Sequence, residues 1–91
     1  MTRSNAMSEA NIRLECLRPA NDGWEQPTGE EVREALKAAG FTGGQAAKAL
    51  GLGAKGDRTV RRWIGGDSAI PYAAWALLCD FGNLGQIWKK D

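Results

Sequence analysis

The stretch GQAAKALGLGAKGDRTVRRWIG, from Gly44 to Gly65, decides the fold that this sequence predicts. Its alanine-rich first third favours a short helix, and the glycines that follow favour a turn. In the last third, Val60, Trp63 and Ile64 recur at helical spacing and therefore share one apolar face. The stretch thus predicts two short helices joined by a turn, with the second helix anchored in the core by that face.

The opposite face of the second helix carries basic side chains. A short helix that is apolar inside and cationic outside fits the major groove of DNA, where the arginine fork pairs with guanine O6 and N7. With the apolar side chains turned inward, helical geometry turns the intervening residues outward. We therefore predict base-edge contacts for Arg58, Thr59, Arg61 and Arg62. A solvated basic surface without a ligand is the plainer alternative.

The start of the preceding helix and two lysines offer phosphate contacts. Thr42 is expected to cap this helix, and Asp57 is expected to cap the next one. Unpaired backbone N–H groups at a helix start can hold a phosphate, although every helix start offers the same groups. The predicted phosphate contacts are Thr42, Gly44, Gln45, Lys48 and Lys55.

The residues before this unit predict one more helix and an extended arm. Thr28 and Glu31 have the spacing of a capping box at a helix start. Four apolar residues then recur at helical spacing before Gly40: Val32, Ala35, Leu36 and Ala39. Further upstream, the segment from Ile12 to Leu17 alternates apolar and polar residues, which predicts a short strand or extended arm.

The segment from Pro71 to Phe81 predicts a last helix that is apolar on nearly every side. Such a helix must be buried on more than one side. Either the chain's own termini cover it or a second subunit does. We favour the second subunit and predict a dimer interface of Tyr72, Trp75, Cys79, Ile87 and Trp88.

Composition narrows the class of protein. A chain of 91 residues suffices for one domain, and 43% hydrophobic residues is ordinary for a globular protein. The absence of histidine excludes the usual zinc sites and histidine-based catalysis. Cys16 and Cys79 could form a disulfide, but two reduced thiols in a cytoplasmic protein are favoured. No apolar run approaches the roughly 18 residues of a membrane span.

The net charge of +1 conceals an internal polarity. Residues 42–66 contain five basic residues and one acidic residue, a net charge of +4. Residues 21–41 contain two basic and five acidic residues, a net charge of −3. This polarity would orient one face of the molecule toward a polyanion. An ordinary solvated charge distribution would give the same counts, so the argument for DNA depends on the placement of the cations on one predicted helix.

Three patterns carry a family resemblance: Gln45-Ala46-Ala47 with Leu50-Gly51, Val60 with Arg62-Trp63 and Gly66, and the run from Ile70 to Leu78. Over roughly Thr28 to Asn83 they resemble the Cro/repressor-type helix-turn-helix regulators of phages and plasmids. More narrowly, they resemble the short plasmid-encoded repressors of the Kor type. The resemblance implies a helical domain, a homodimer and a palindromic operator. The spacing from Gly51 to Val60 exceeds the family's usual spacing, which predicts a longer turn.

The predicted architecture is all-α, a four- to five-helix bundle with a helix-turn-helix and a short extended N-terminal arm. Residues 1–27 are predicted to form a tail, the arm and a loop, and residues 28–83 the DNA-binding domain. Residues 84–91 are predicted to form a C-terminal tail that contributes to a dimer contact. Ser4-Asn5-Ala6 before Met7 is typical of a cloning remnant, which makes Met7 the candidate native start.

The predicted function is a homodimeric transcriptional repressor that binds double-stranded DNA at a palindromic operator in the bacterial cytoplasm. A second repressor is a further candidate partner, and no cofactor, metal or catalytic residue is expected. The alternative is a DNA-binding antitoxin or accessory factor that mainly grips a protein partner through its apolar C-terminal helix. An enzyme is disfavoured because the sequence lacks histidine, a P-loop and a carboxylate cluster beyond one solvated helix face.

Overall fold

Four α-helices form the fold, which a computed structural model describes for residues 11–89. Their bounds are α1 Gly29–Ala39, α2 Gly43–Ala49, α3 Gly56–Gly65 and α4 Tyr72–Phe81. A short 3-10 helix, Leu14–Leu17, precedes them, and no strand occurs among the described residues. The predicted all-α bundle is therefore confirmed. The predicted tail before residue 11 and the interpretation of Met7 lie outside the described part of the chain.

The N-terminal segment differs from the extended arm that the sequence predicts. Leu14–Leu17 coils into the 3-10 helix, and Cys16 within it is completely buried. The Cys16 carbonyl accepts two indole hydrogen bonds, from Trp75 Nε1 at 2.7 Å and from Trp24 Nε1 at 3.1 Å. Because a buried indole needs an acceptor, this turn in the chain satisfies Trp75 inside the core. An alternation of apolar and polar residues over only six positions does not distinguish an extended segment from a short 3-10 helix.

Helix α1 begins with the capping box that the sequence predicts. The Thr28 hydroxyl accepts from the Glu31 backbone N–H at 3.2 Å, and the Thr28 backbone N–H donates to Glu31 Oε1 at 2.7 Å. Glu31 Oε2 also accepts from the backbone N–H and from Nε of Arg13, each at 2.9 Å. The buried Glu31 carboxylate therefore ties the N-terminal segment to the start of α1.

The same hydrogen bonds control the protonation of Glu31. Burial alone would raise the pKa of this carboxyl, but the hydrogen bonds from Arg13 and Thr28 outweigh burial and lower the pKa to about 2. The thiols of Cys16 and Cys79 are free and buried, and burial raises their pKa to about 11 and about 12. Both thiols are therefore protonated at neutral pH, in line with the preference for reduced cysteines.

The core lies where α1, α3 and α4 meet. Helix α1 packs against both α3 and α4, and α2 packs against α3. The predicted stripe of α1 faces inward, with Ala39 only partly buried at its end. Gly29, the first residue of α1, lies directly against the backbone carbonyl of Ile64 at the end of α3. The largest fully buried side chains are Trp75, Ile70, Leu78, Val32, Val60, Cys16 and Cys79.

Two helix starts differ slightly from the prediction. Helix α3 begins at Gly56 with Lys55 as its N-cap residue, so Asp57 lies inside the first turn and is not the cap. Helix α4 begins at Tyr72, so Pro71 is the residue before the helix and not its first residue. Neither N-cap residue supplies a side-chain hydrogen bond to its helix. The packing of these helices, more than their caps, therefore fixes where they start.

Candidate nucleic-acid interface

Helices α2 and α3 form a two-helix unit, and residues 50–55 connect them. Gly51 and Gly53 in this connection adopt positive φ angles of 70° and 84°, a conformation that other residues rarely adopt. A Cβ atom on Gly56 would lie 2.7 Å from the Cβ atoms of both Ala47 and Leu52. Because real Cβ atoms do not approach so closely, α3 can start this near to α2 only with glycine at this position.

Helix α3 has the two faces that the sequence predicts. Val60 and Trp63 are buried, and Ile64 packs partly buried against the same core. The three arginines of the opposite face are exposed, and Thr59 beside them is half-buried. The basic face of α3, which consists of Arg58, Thr59, Arg61 and Arg62, is thus supported from behind by the core. No other part of the described chain covers its arginines.

One acidic side chain stands on this face. Asp57 Oδ2 lies 3.7 Å from the NH2 nitrogen of Arg61, one helical turn further along α3. The Arg61 side chain is 70% exposed and that of Asp57 is 56% exposed. Sequence reasoning missed this contact because it assigned Asp57 to the cap. The i, i+4 spacing of an acidic and a basic residue was the signal that could have found it.

The predicted phosphate contacts lie on α2 and just before α3. The Thr42 hydroxyl accepts from the Gln45 backbone N–H at 3.2 Å, and the Thr42 backbone N–H donates to Gln45 Oε1 at 2.8 Å. These two side chains therefore form a capping box, and the backbone N–H groups of Thr42 and Gln45 are already hydrogen-bonded. Gly44, Lys48 and Lys55 are exposed, and the space beside the Gly44 Cα is open. These three residues are freer to meet a phosphate than Thr42 and Gln45.

Helix α4 buries most of the residues predicted for a dimer interface. Trp75 and Cys79 have no exposed surface, and Ile87 is 5% exposed. Because side chains enclosed by their own subunit cannot meet another one, the prediction is wrong for these three residues, which belong to the core. Tyr72 is half-buried and Trp88 is exposed, so these two can still meet a partner.

A different apolar surface of α4 is exposed. Leu77, Phe81 and Trp88 each keep more than two fifths of their surface in solvent, at 43%, 47% and 42%. A groove beside Leu77 and Trp88 is lined by these two residues and by Tyr72, Ala73 and Ala76. We call the exposed residues together with this groove the apolar face of α4. Sequence reasoning missed Leu77 and Phe81 as contact residues because an apolar helix gives no periodicity to tell its outer side from its inner side.

Among residues 11–89, no three or more Cys, Asp or Glu side chains are grouped as a metal ion would require. The α-helices of this part of the chain are too short or too polar to span a membrane.

Comparison with known proteins assigns this sequence to a family. The chain is 72% identical over 83 residues to the transcriptional repressor protein KorC of Escherichia coli, a match that covers 91% of this chain and 96% of the relative. The chain belongs to the KorC family of transcriptional repressors. A second KorC protein of Escherichia coli is 70% identical over the same lengths of both chains. The Kor-type resemblance is therefore confirmed.

The KorC relatives bear on function through their name alone. Both are named as transcriptional repressors, which is a non-enzymatic role. No family model matches the chain, and no solved structure matches it. The likeness to Cro-type regulators stays a prediction.

Proposed function

We propose that this member of the KorC family is a transcriptional repressor that binds a specific double-stranded DNA sequence as a homodimer. The observation that carries the proposal is the basic face of α3, where exposed arginines stand opposite the buried Val60 and Trp63. A helix braced in this way presents guanidinium groups at fixed positions, and the major groove admits such a helix. The family to which the chain belongs supports the repressor role.

Base recognition is assigned to the outer residues of α3. Arg58 and Arg61 would pair with guanine edges, and each good bidentate pair discriminates between bases by about 1–3 kcal/mol. Arg62 and Thr59 would contact bases or phosphates at the side. Lys48, Lys55 and the exposed backbone at Gly44 would contact phosphates and thereby fix the orientation of the domain on the duplex. Thr42 and Gln45 would assist through the helix start that they cap.

The homodimer would form through the apolar face of α4. Monomeric proteins seldom expose several large apolar side chains side by side, and such patches commonly mark protein contacts. A two-fold axis through this face would present two copies of α3 to one duplex, about 34 Å apart. Two-fold symmetry in the protein then requires a palindromic operator. Occupancy of that operator in the bacterial cytoplasm would block RNA polymerase.

Selection of bound duplexes from a random DNA pool tests the proposed function. The expected product is a palindrome with half-sites about one helical turn apart. Arg58→Ala and Arg61→Ala should each weaken binding to that operator by about tenfold or more, with a much smaller effect on random duplex DNA. Arg33→Ala, which removes an exposed arginine from α1, is the matched control and should leave the operator preference unchanged. Equal losses on both DNAs would make the α3 arginines phosphate contacts.

The dimer is tested separately by sedimentation. Leu77→Glu places a charge on the apolar face of α4 and should convert dimers to monomers. Leu14→Glu is the matched control, because Leu14 is a 60% exposed leucine on the 3-10 helix that does not line the groove. An unchanged mass for Leu77→Glu would move the contact to another surface.

The apolar face of α4 also favours a second candidate function. An antitoxin or accessory factor would use the same surface to bind a different protein, such as a second repressor that occupies a neighbouring site. A stable homodimer that buries Leu77 in the absence of any other protein would contradict this candidate. A monomer that still selects a single half-site would support it.

A further inference from the structure

A carboxylate on the basic face of α3 needs an explanation. Asp57 is the one acidic residue between positions 42 and 66, and it lies on the surface that the proposed function directs at a polyanion. A negative charge there opposes binding to every phosphate backbone, whatever its sequence. On grounds of affinity alone, this position would carry a neutral or a basic residue.

Asp57 contributes only modestly to the stability of the fold. Lys55 is the N-cap residue of α3, and Asp57 lies in the first turn, where a carboxylate interacts favourably with the helix dipole by about 0.3–1 kcal/mol. Its ion pair with Arg61 spans 3.7 Å between two side chains that are both more than half exposed. Exposed pairs of this kind contribute little to the free energy of unfolding. The contact with Arg61 therefore points to a role in binding.

We propose that Asp57 is a specificity-determining residue that positions Arg61 and penalises incorrect DNA, an inference that rests on the proposed function. The Asp57 carboxylate attracts the Arg61 guanidinium along α3 at 3.7 Å, beyond hydrogen-bond distance, so the N–H donors of the guanidinium stay free for a base edge. On the correct operator, Arg61 pairs with a guanine, and the Asp57 carboxylate accepts a hydrogen bond from a cytosine amino group. On other sequences the carboxylate meets phosphates without such a donor, and the complex is weakened.

The test compares Asp57→Asn with the native protein on two duplexes, the operator selected by the native protein and a random sequence. We expect random DNA to be bound about five- to tenfold more tightly and the operator about equally, because the variant loses a repulsive charge that acts mainly on incorrect DNA. The ratio of the two affinities should therefore fall. Repeating the selection with the variant should also relax the base preference at the position that Arg61 contacts.

Glu30→Gln is the matched control. Glu30 is the second residue of α1, as Asp57 is the second residue of α3, and both are exposed. Both variants lose one negative charge at the same place in a helix, so a general charge effect would appear in both. If Glu30→Gln changes the affinity ratio as much as Asp57→Asn does, or if Asp57→Asn changes both affinities by one factor, the role of Asp57 is overturned.

The outcome also separates this inference from the proposed function. A native protein that selects no sequence from the random pool removes both. A native protein that selects an operator, with an Asp57→Asn variant of unchanged specificity, removes the role of Asp57 alone.

Discussion

Two arginine–carboxylate pairs in this fold share their chemistry and differ in burial. Arg13 Nε lies 2.9 Å from Glu31 Oε2, and the Glu31 side chain is only 7% exposed. The NH2 nitrogen of Arg61 lies 3.7 Å from Asp57 Oδ2, and both side chains are largely exposed. In the first pair, the arginine joins the N-terminal segment to the start of α1. The second leaves the arginine free to bind something else.

The difference comes from how many partners each carboxylate has. Glu31 accepts hydrogen bonds from the backbone and side chain of Arg13 and from the backbone of Thr28. These bonds replace the water that burial removes, so the charge is stable inside the protein. Asp57 keeps its water and needs no such replacement. The Arg13–Glu31 pair therefore stabilises the fold, whereas the Asp57–Arg61 pair belongs to the exposed surface.

Removing the buried charge should give the largest effect. Glu31→Gln preserves the shape of the side chain and can still cap α1, but it removes the buried carboxylate charge that pairs with Arg13, whose other ion pair is the exposed one with Glu25. We expect the free energy of unfolding to fall by about 3 kcal/mol. Chemical denaturation measures this change, with Glu30→Gln as the control that alters the exposed neighbour. Equal effects of the two variants would contradict the importance of burial.

Acid should reproduce part of that effect in the native protein. The pKa of Glu31 is about 2 in the fold, below its ordinary value of 4.5. Because the folded pKa is lowered, the stabilisation is complete above pH 4.5 and is lost as the pH falls through that value toward 2. Between about pH 5 and pH 3 we expect a loss of about 2 kcal/mol. Glu31→Gln should lack this component, and denaturation curves with the same pH dependence in both proteins would refute it.

Replacing the arginine by lysine should lower operator affinity in one pair and the free energy of unfolding in the other. Arg61→Lys keeps the charge and loses the planar fork, so operator affinity should fall by about 1 kcal/mol with an unchanged free energy of unfolding. Arg13→Lys loses contacts to Glu31 and should instead destabilise the fold without changing the operator affinity of the folded protein. Binding and denaturation measured on both variants test this crossover. If both variants change the same quantity, the two pairs have the same role.

The smallest effect is expected at the exposed carboxylate. Asp57→Asn should lower the free energy of unfolding by only about 1 kcal/mol or less, because the exposed i, i+4 pair and the interaction of this carboxylate with the helix dipole are both weak. Chemical denaturation of this variant and of Glu31→Gln measures the smallest and the largest expected change in the free energy of unfolding. A loss as large as that of Glu31→Gln would make Asp57 a structural residue.

The local features of this fold could be predicted from sequence. The capping boxes at Thr28 and Thr42 depend on residues three positions apart, and both are present. The two faces of α3 follow from helical spacing within a few residues. In each case the residues that decide the structure are neighbours along the chain.

The features that depend on distant residues could not be predicted. The 3-10 helix at Leu14–Leu17 is held by the indole of Trp75, far along the chain. Likewise, an apolar helix such as α4 does not indicate which of its sides is covered by its own chain. Trp75 and Cys79 were therefore assigned to a dimer contact although the core encloses them. The DNA and dimer contacts themselves stay predictions.

The position of the α3 arginines depends on the absence of a side chain at Gly56. Any larger residue there would push its Cβ into Ala47 and Leu52, and neither contact atom sits at a flexible side-chain end that could swing away. The backbone of α3 would have to lift off α2 and carry its guanidinium groups with it. A single methyl group at this position would thus be enough to move the basic face of α3 relative to the rest of the fold.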